Sequence, residues 1–172
     1  MTKGYVLLAV LAAGTALAEP NGWKTYSYPE AGFSAAFPAK PKEGNQAHQS
    51  GSFGRLESKV YLVEHGGVAY VVSATTLPGK ARDEKTPAAL LDDARNGFVA
   101  GVKGKLQREG EIALKGFPGR DVEVSAAGQV VFARLYLVRD RLYQLVAVFP
   151  KENVGAPDAR RFLDSFALAE KR

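Results

Sequence analysis

The chain has 172 residues, 46% of them hydrophobic and 24% charged, with 23 Lys and Arg against 18 Asp and Glu for a formal net charge of +5. This is the balance of a folded domain and excludes a disordered segment. It has no cysteine, which excludes disulfides, a thiolate nucleophile and a cysteine-ligated metal.

Residues 1–18 read as a secretory signal peptide. Lys3 supplies the positive start, "VLLAVLAAGTALA" (Val6 to Ala18) the apolar run, and Ala16 and Ala18 the small residues before a cut expected between Ala18 and Glu19. The run is shorter than the ~20 residues a membrane span needs, and no other stretch comes close. The expectation is a single mature domain over 19–172, periplasmic or secreted, with no membrane span and no cysteine to carry a lipid.

The mature chain opens with two short strands. Tyr26 and Tyr28 alternate with polar residues, Pro29 to Gly32 reads as a turn, and Phe33 and Phe37 share one side of a strand that Pro38 ends. Pro41 to Ser52 is polar and reads as a loop. Arg55 to Glu64 and Val68 to Thr75 are β-rich runs joined by "HGG", whose glycines can supply the positive φ of a tight hairpin. Pro78 to Lys85 reads as a surface loop before the clearest helix start in the chain, with Thr86 as N-cap and Pro87 in the first turn. Leu90, Leu91, Ala94 and Phe98 form its apolar stripe, Asp92, Asp93, Arg95 and Asn96 face away, and Gly101 stops it. Leu106 to Leu114 and Arg120 to Ala126 read as two more strands around "KGFPG".

Gly128 to Pro150, "GQVVFARLYLVRDRLYQLVAVFP", is apolar on both alternating sets. With Arg139 and Asp140 as a two-residue turn, Tyr136 falls opposite Tyr143. Val131, Ala133, Leu135 and Leu137 then share a face with Leu142, Gln144, Val146 and Val148. Strands apolar on both faces belong in the middle of a sheet covered on both sides. A second amphipathic helix begins near Pro157, with Ala159, Phe162, Leu163 and Phe166 along one face, and closes the fold. The expected fold is therefore α/β (α+β): a three-layer α/β/α sandwich with a central, largely antiparallel sheet.

These segments resemble a known family. The opening Tyr28 to Pro38, "GFPGRD" (Gly116 to Asp121), "RLYLVRDRLYQL" and the closing "RFLDSF" (Arg161 to Phe166) are similar to bacterial secreted relatives of the PsbP-like fold. That superfamily includes extrinsic subunits of photosystem II, nuclear Ran-binding proteins and bacterial proteins, some acting as chaperones for secreted effectors. The resemblance covers Trp23 to Leu168 and rests on core and turn residues, so it implies a fold more than a function. What it implies of function is a binding or assembly role without catalysis; no metal-binding or partner-binding motif of PsbP itself matches here.

The residues offer little chemistry. His48 in the polar loop and His65 in a turn are too few to make a zinc site without cysteine. "SGSFG" around Ser52 is not the nucleophile motif G-x-S-x-G. Asp121 with Glu123, and Asp92 with Asp93, are paired carboxylates, but acid/base work needs two carboxyls in contrasting environments. No glycine motif for nucleotides is present, and the scattered Lys and Arg lack the aromatic interleaving of a nucleic-acid stripe. No metal or cofactor is expected, and the chain does not read as an enzyme.

Arg134, Tyr136, Arg141 and Tyr143 are the candidate partner surface, because arginine and tyrosine are enriched at binding hot spots; a simple rim arginine with a buried stem is the plainer reading of Arg134. Trp23, the single Trp, is expected to pack on the domain. The leading expectation is an exported, non-catalytic binding or assembly protein with a protein partner in the cell envelope. The alternatives are a carrier of a small apolar ligand held between sheet and helix, and a hydrolase with an unrecognised site.

Overall fold

Two sheets and three helices make up the computed structural model, which describes residues 22–50, 53–153 and 157–169. The smaller sheet has β1 (Lys24–Tyr28) and β2 (Phe33–Phe37), with β10 (Ala167–Leu168) on the other side of β2. The larger has β3 (Lys42–Ser50), β4 (Gly54–His65), β5 (Val68–Thr76), β6 (Lys105–Leu114), β7 (Phe117–Ala126), β8 (Gln129–Val138) and β9 (Arg141–Pro150). Its order is β3-β4-β5-β9-β8-β7-β6, antiparallel throughout. After β5 the chain passes through α1 (Gly79–Glu84) and α2 (Pro87–Gly101) to the far edge, and the β6 to β9 meander returns to pair β9 with β5.

Local chemistry sets this path. Gly66–Gly67, Lys115–Gly116 and Ala127–Gly128 each place both turn residues at positive φ, and Arg139 does so before Asp140. Two-residue turns of this kind match the right-handed twist of the strands they join. The Arg139–Asp140 turn puts Tyr136 opposite Tyr143 and Val131 opposite Val148, the register expected from the sequence. The Thr86 hydroxyl caps α2 by accepting the Ala89 N–H at 3.3 Å, with Pro87 beginning the helix.

The middle of the large sheet is buried on both faces, and the two coverings differ. On one, Leu90, Leu91 and Ala94 of α2 pack on Val122, Val124, Val131, Ala133 and Leu135, an aliphatic core. On the other, Phe33 and Phe37 of β2 and Phe162 of α3 (Pro157–Asp164) meet Tyr70, Tyr136, Tyr143 and Phe149 in an aromatic core. The expectation of two helical outer layers is corrected here, since α3 shares its layer with the β1-β2-β10 sheet. The Ser165 hydroxyl ties them, accepting the Ala36 N–H at 2.8 Å and donating to the Phe162 carbonyl at 2.7 Å.

Three local expectations also change. Lys42 to Ser50 is a strand and not a loop, because an edge strand exposed on both sides has no apolar alternation to show. Gly79 to Glu84 is a helix whose one buried residue, Ala81, leaves no stripe to read. Phe166 lies past the end of α3 and β10 follows it, so the helix does not close the fold; Phe166 nonetheless stacks on Phe33 and Tyr136, at 5.5 and 5.9 Å between centroids. The signal peptide expected over 1–18, and Ser52, lie outside the described residues. Among those described, no helix is long and apolar enough to cross a membrane.

The aromatic core carries a pH prediction. Burial, with help from Asp158, pushes the Tyr70 hydroxyl up to about 12. Burial and then Glu43 do the same to Tyr28, also to about 12. The folded state thus holds these protons more tightly than the unfolded chain, whose tyrosines titrate near pH ~10. Their contribution is complete below that pH and is lost as pH rises toward about 12. Melting temperatures should therefore stay level into mild alkali and fall through this window, with phenolate absorbance rising as the fold is lost. Full ionisation of every tyrosine near pH ~10 with the fold intact would contradict the burial.

Candidate functional site

The four residues singled out by the sequence lie side by side on β8 and β9, yet they do not form one exposed patch. Tyr136 and Tyr143 are opposite each other and only 5% and 3% exposed, part of the aromatic core. Burial raises the Tyr136 hydroxyl above its ordinary pKa, with Arg134 partly offsetting it. The Tyr143 hydroxyl donates to the Ala31 carbonyl at 2.8 Å. Arg141 donates to the same carbonyl, so it serves the turn between β1 and β2.

Arg134 is different. Its side chain, 21% exposed, donates to Asp164 of α3 at 2.7 Å and to Asp121 of β7 at 3.3 Å. Burial works against its charge, but the Asp164 hydrogen bond and the nearby Tyr136, Asp164 and Asp121 hold its pKa above the usual arginine value. β8 is an interior strand, two places from the β6 edge, and the partners of Arg134 are carboxylates on two other elements.

Arg134 lines a groove of about 800 Å³ between α3 and strands β6 to β8, with Phe132 among its walls. Alternation places it there: on β8, Phe132 and Arg134 point to the aromatic side, opposite Glu123 and Asp121 of β7. Arg108 of β6 reaches across to Asp121 at 3.2 Å and Glu123 at 3.5 Å. From α3, Arg160 and Arg161 add two more cations. Arg161 lies over the Trp23 ring at 5.1 Å, and Trp23 is buried against Tyr70 as expected. Arg160 is exposed and pairs with no described residue.

Each groove carboxylate is thus clasped by an arginine. Asp121 is held by both Arg108 and Arg134, Glu123 by Arg108 and the more exposed Asp164 by Arg134. Asp92, on the far side of the sheet, is held in the same way: it accepts from Arg120 at 3.1 Å, and Arg120 also meets Glu109 at 3.4 Å and Glu111 at 3.5 Å. His48 sits on exposed β3 and His65 at the exposed end of β4, and among the described residues no group of three or more His, Cys, Asp or Glu could hold a metal ion.

The sequence reading missed Arg108, Arg160 and Asp164. A signal existed for Arg108, since the short turn after Leu114 places β6 beside β7, opposite the flagged Asp121 and Glu123. Arg160 and Asp164 flank the apolar stripe of α3, but no sequence pattern says which edge of the sheet that helix will border.

No family model matches the chain, and no curated protein does. Among solved structures it is similar to cyanobacterial PsbP (CyanoP) from Synechocystis, with a TM-score of 0.59 and 12% identity over 90% of this chain and 95% of that one. A Pseudomonas aeruginosa protein of unknown function matches with a TM-score of 0.43 and 11% identity over 80% of this chain and 90% of that one. The first likeness shows a PsbP-like fold, and at that identity it speaks of the fold alone.

Proposed function

From a PsbP-like fold with arginine-clasped carboxylates, we propose an exported, non-catalytic binding or assembly protein that receives a protein partner of the cell envelope in the groove between α3 and β6 to β8. The observation that carries this reading is the groove's own charge arrangement. Its carboxylates are each held by arginine, while Arg108, 56% exposed and paired with Asp121 and Glu123, and the exposed Arg160, which pairs with no described residue, add positive charge at the surface beside Phe132. An apolar wall beside exposed arginines suits an acidic stretch of polypeptide. Export rests on the pattern of residues 1–18. The ligand-carrier alternative draws no support from the space between the layers, where rings such as Phe37 and Phe162, at 5.3 Å, are in contact.

The test is crosslinking and pull-down of the mature protein from an envelope extract, comparing wild type with Arg108→Gln combined with Arg160→Glu. Both residues are at the surface, so the melting temperature should move by no more than about 2 °C. Capture should fall about tenfold through lost attraction and new repulsion. Equal capture by the two proteins removes the groove from consideration.

A further inference from the structure

Among the described residues no further strand pairs with either edge of the seven-stranded sheet, and the two edges are built differently. β6 carries Lys105, Arg108, Glu109 and Glu111 and a bulge between Leu106 and Arg108. Charge and bulges are devices that keep an edge from pairing with another chain. On β3 the only charges are Lys42 and Glu43 at its start; from Gly44 to Ser50 it has neither charge nor proline. Its register with β4 runs unbroken from Lys42 to Ser50, and every residue but the last is exposed. Roughly every second residue of such an edge turns its N–H and C=O outward, so β3 is a template for one more strand.

A second observation falls on the same edge. The β1–β2 turn stands beside the β3–β4 ribbon, and between them lies a groove of about 680 Å³. Tyr28 and Tyr61 face it with their rings 4.1 Å apart, alongside Asn45 and Glu43 of β3. Lys59 and Glu30 there pair with each other at 3.6 Å. Glu43 forms no ion pair with any described residue.

We propose that β3 receives an extended segment of a partner polypeptide as an added strand, with a lysine or arginine of that segment lodged against Tyr28 and Tyr61 and paired with Glu43. The backbone ladder supplies affinity whatever the sequence, and the groove supplies selection. Aromatic faces accept both the aliphatic stem and the cation, and the free carboxylate accepts the charge-assisted hydrogen bond. β3 and the arginine groove lie at opposite ends of the sheet, so this inference stands or falls apart from the function proposed above.

The probe is a short end-blocked peptide of alternating valine and lysine, titrated into the protein at low salt and followed by amide hydrogen exchange. Residues 42–50 should gain protection. Methylating alternate peptide nitrogens should abolish binding, since the ladder needs those N–H groups. Replacing the peptide lysines by glutamate, or Glu43→Lys in the protein, should each weaken binding about tenfold. Glu43 is exposed, so that variant keeps the fold, and Arg160→Glu serves as a control that leaves peptide binding unchanged. The inference is overturned by equal binding of the methylated peptide, by protection that maps elsewhere, or by no binding. It is also overturned if β3 becomes protected in the protein alone as its concentration rises, which would assign the edge to a second copy of the chain.

Discussion

Replacing Phe33 by alanine is expected to lower the free energy of unfolding by about 4 kcal/mol, the largest effect of any single truncation proposed for this chain. The ring has no exposed surface. It touches Tyr28, Tyr61, Tyr143 and Phe166, with centroids at 5.2, 5.0, 6.1 and 5.5 Å. Removing it takes away the transfer free energy of a whole phenyl group. It also leaves a cavity that four other aromatic rings, anchored on β1, β4, β9 and the segment after α3, cannot collapse to fill. For a domain of this size the melting temperature should drop by roughly 12 °C, read by urea and thermal denaturation. Leu91→Ala, in the aliphatic core on the other face, should cost about 3 kcal/mol. The double variant should show the sum to within about 0.5 kcal/mol, because the sheet separates the two sites and they share no partner. A coupling well above that would mean the two faces do not pack independently.

Gly32→Ala should be nearly as damaging, at about 3 kcal/mol. Gly32 closes the turn between β1 and β2 at φ +78°, where an L side chain is strained by roughly 1–2 kcal/mol. An added Cβ would stand 2.7 Å from the Tyr143 hydroxyl and 3.0 Å from an Arg141 guanidinium nitrogen. Both groups donate to the Ala31 carbonyl, so the methyl would push apart the hydrogen bonds that fasten the small sheet to β9, at about 1–3 kcal/mol. Combining it with Tyr143→Phe removes the obstructing oxygen and should recover part of the loss, leaving the backbone strain. Stability unchanged to within about 0.5 kcal/mol would show that the turn does not hold this geometry.

These two positions explain why Arg141 and Tyr143 misled a sequence-based search for a binding surface. Tyrosine and arginine are favoured at interfaces because each joins an apolar body to a polar tip, and the same property suits the seam between two layers of one domain. Here the tips of Arg141 and Tyr143 meet a carbonyl of their own chain. Arg134 kept a place at a groove because it lies one strand nearer the β6 edge, where the small sheet no longer covers the aromatic face and α3 borders it.

The sequence by itself determined the elements whose signals are short in range. It placed the Thr86–Pro87 helix start, the Arg139–Asp140 turn with its register, the alternation that put Val131 and Phe132 on opposite faces, and the likeness to a PsbP-like fold. The likeness rests on segments spread from Tyr28 to Phe166; each of the others depends on φ preferences, capping or periodicity within a few residues. Only the tertiary structure decided that Lys42 to Ser50 is a strand, since its partner β4 and not its own side chains makes it one. Only there did Arg108, Arg134 and Asp164 come together, or the ring of Tyr28 come to lie on Tyr61. Those contacts join elements far apart in the chain, and their energies depend on which faces meet, a quantity that no local pattern of residues carries.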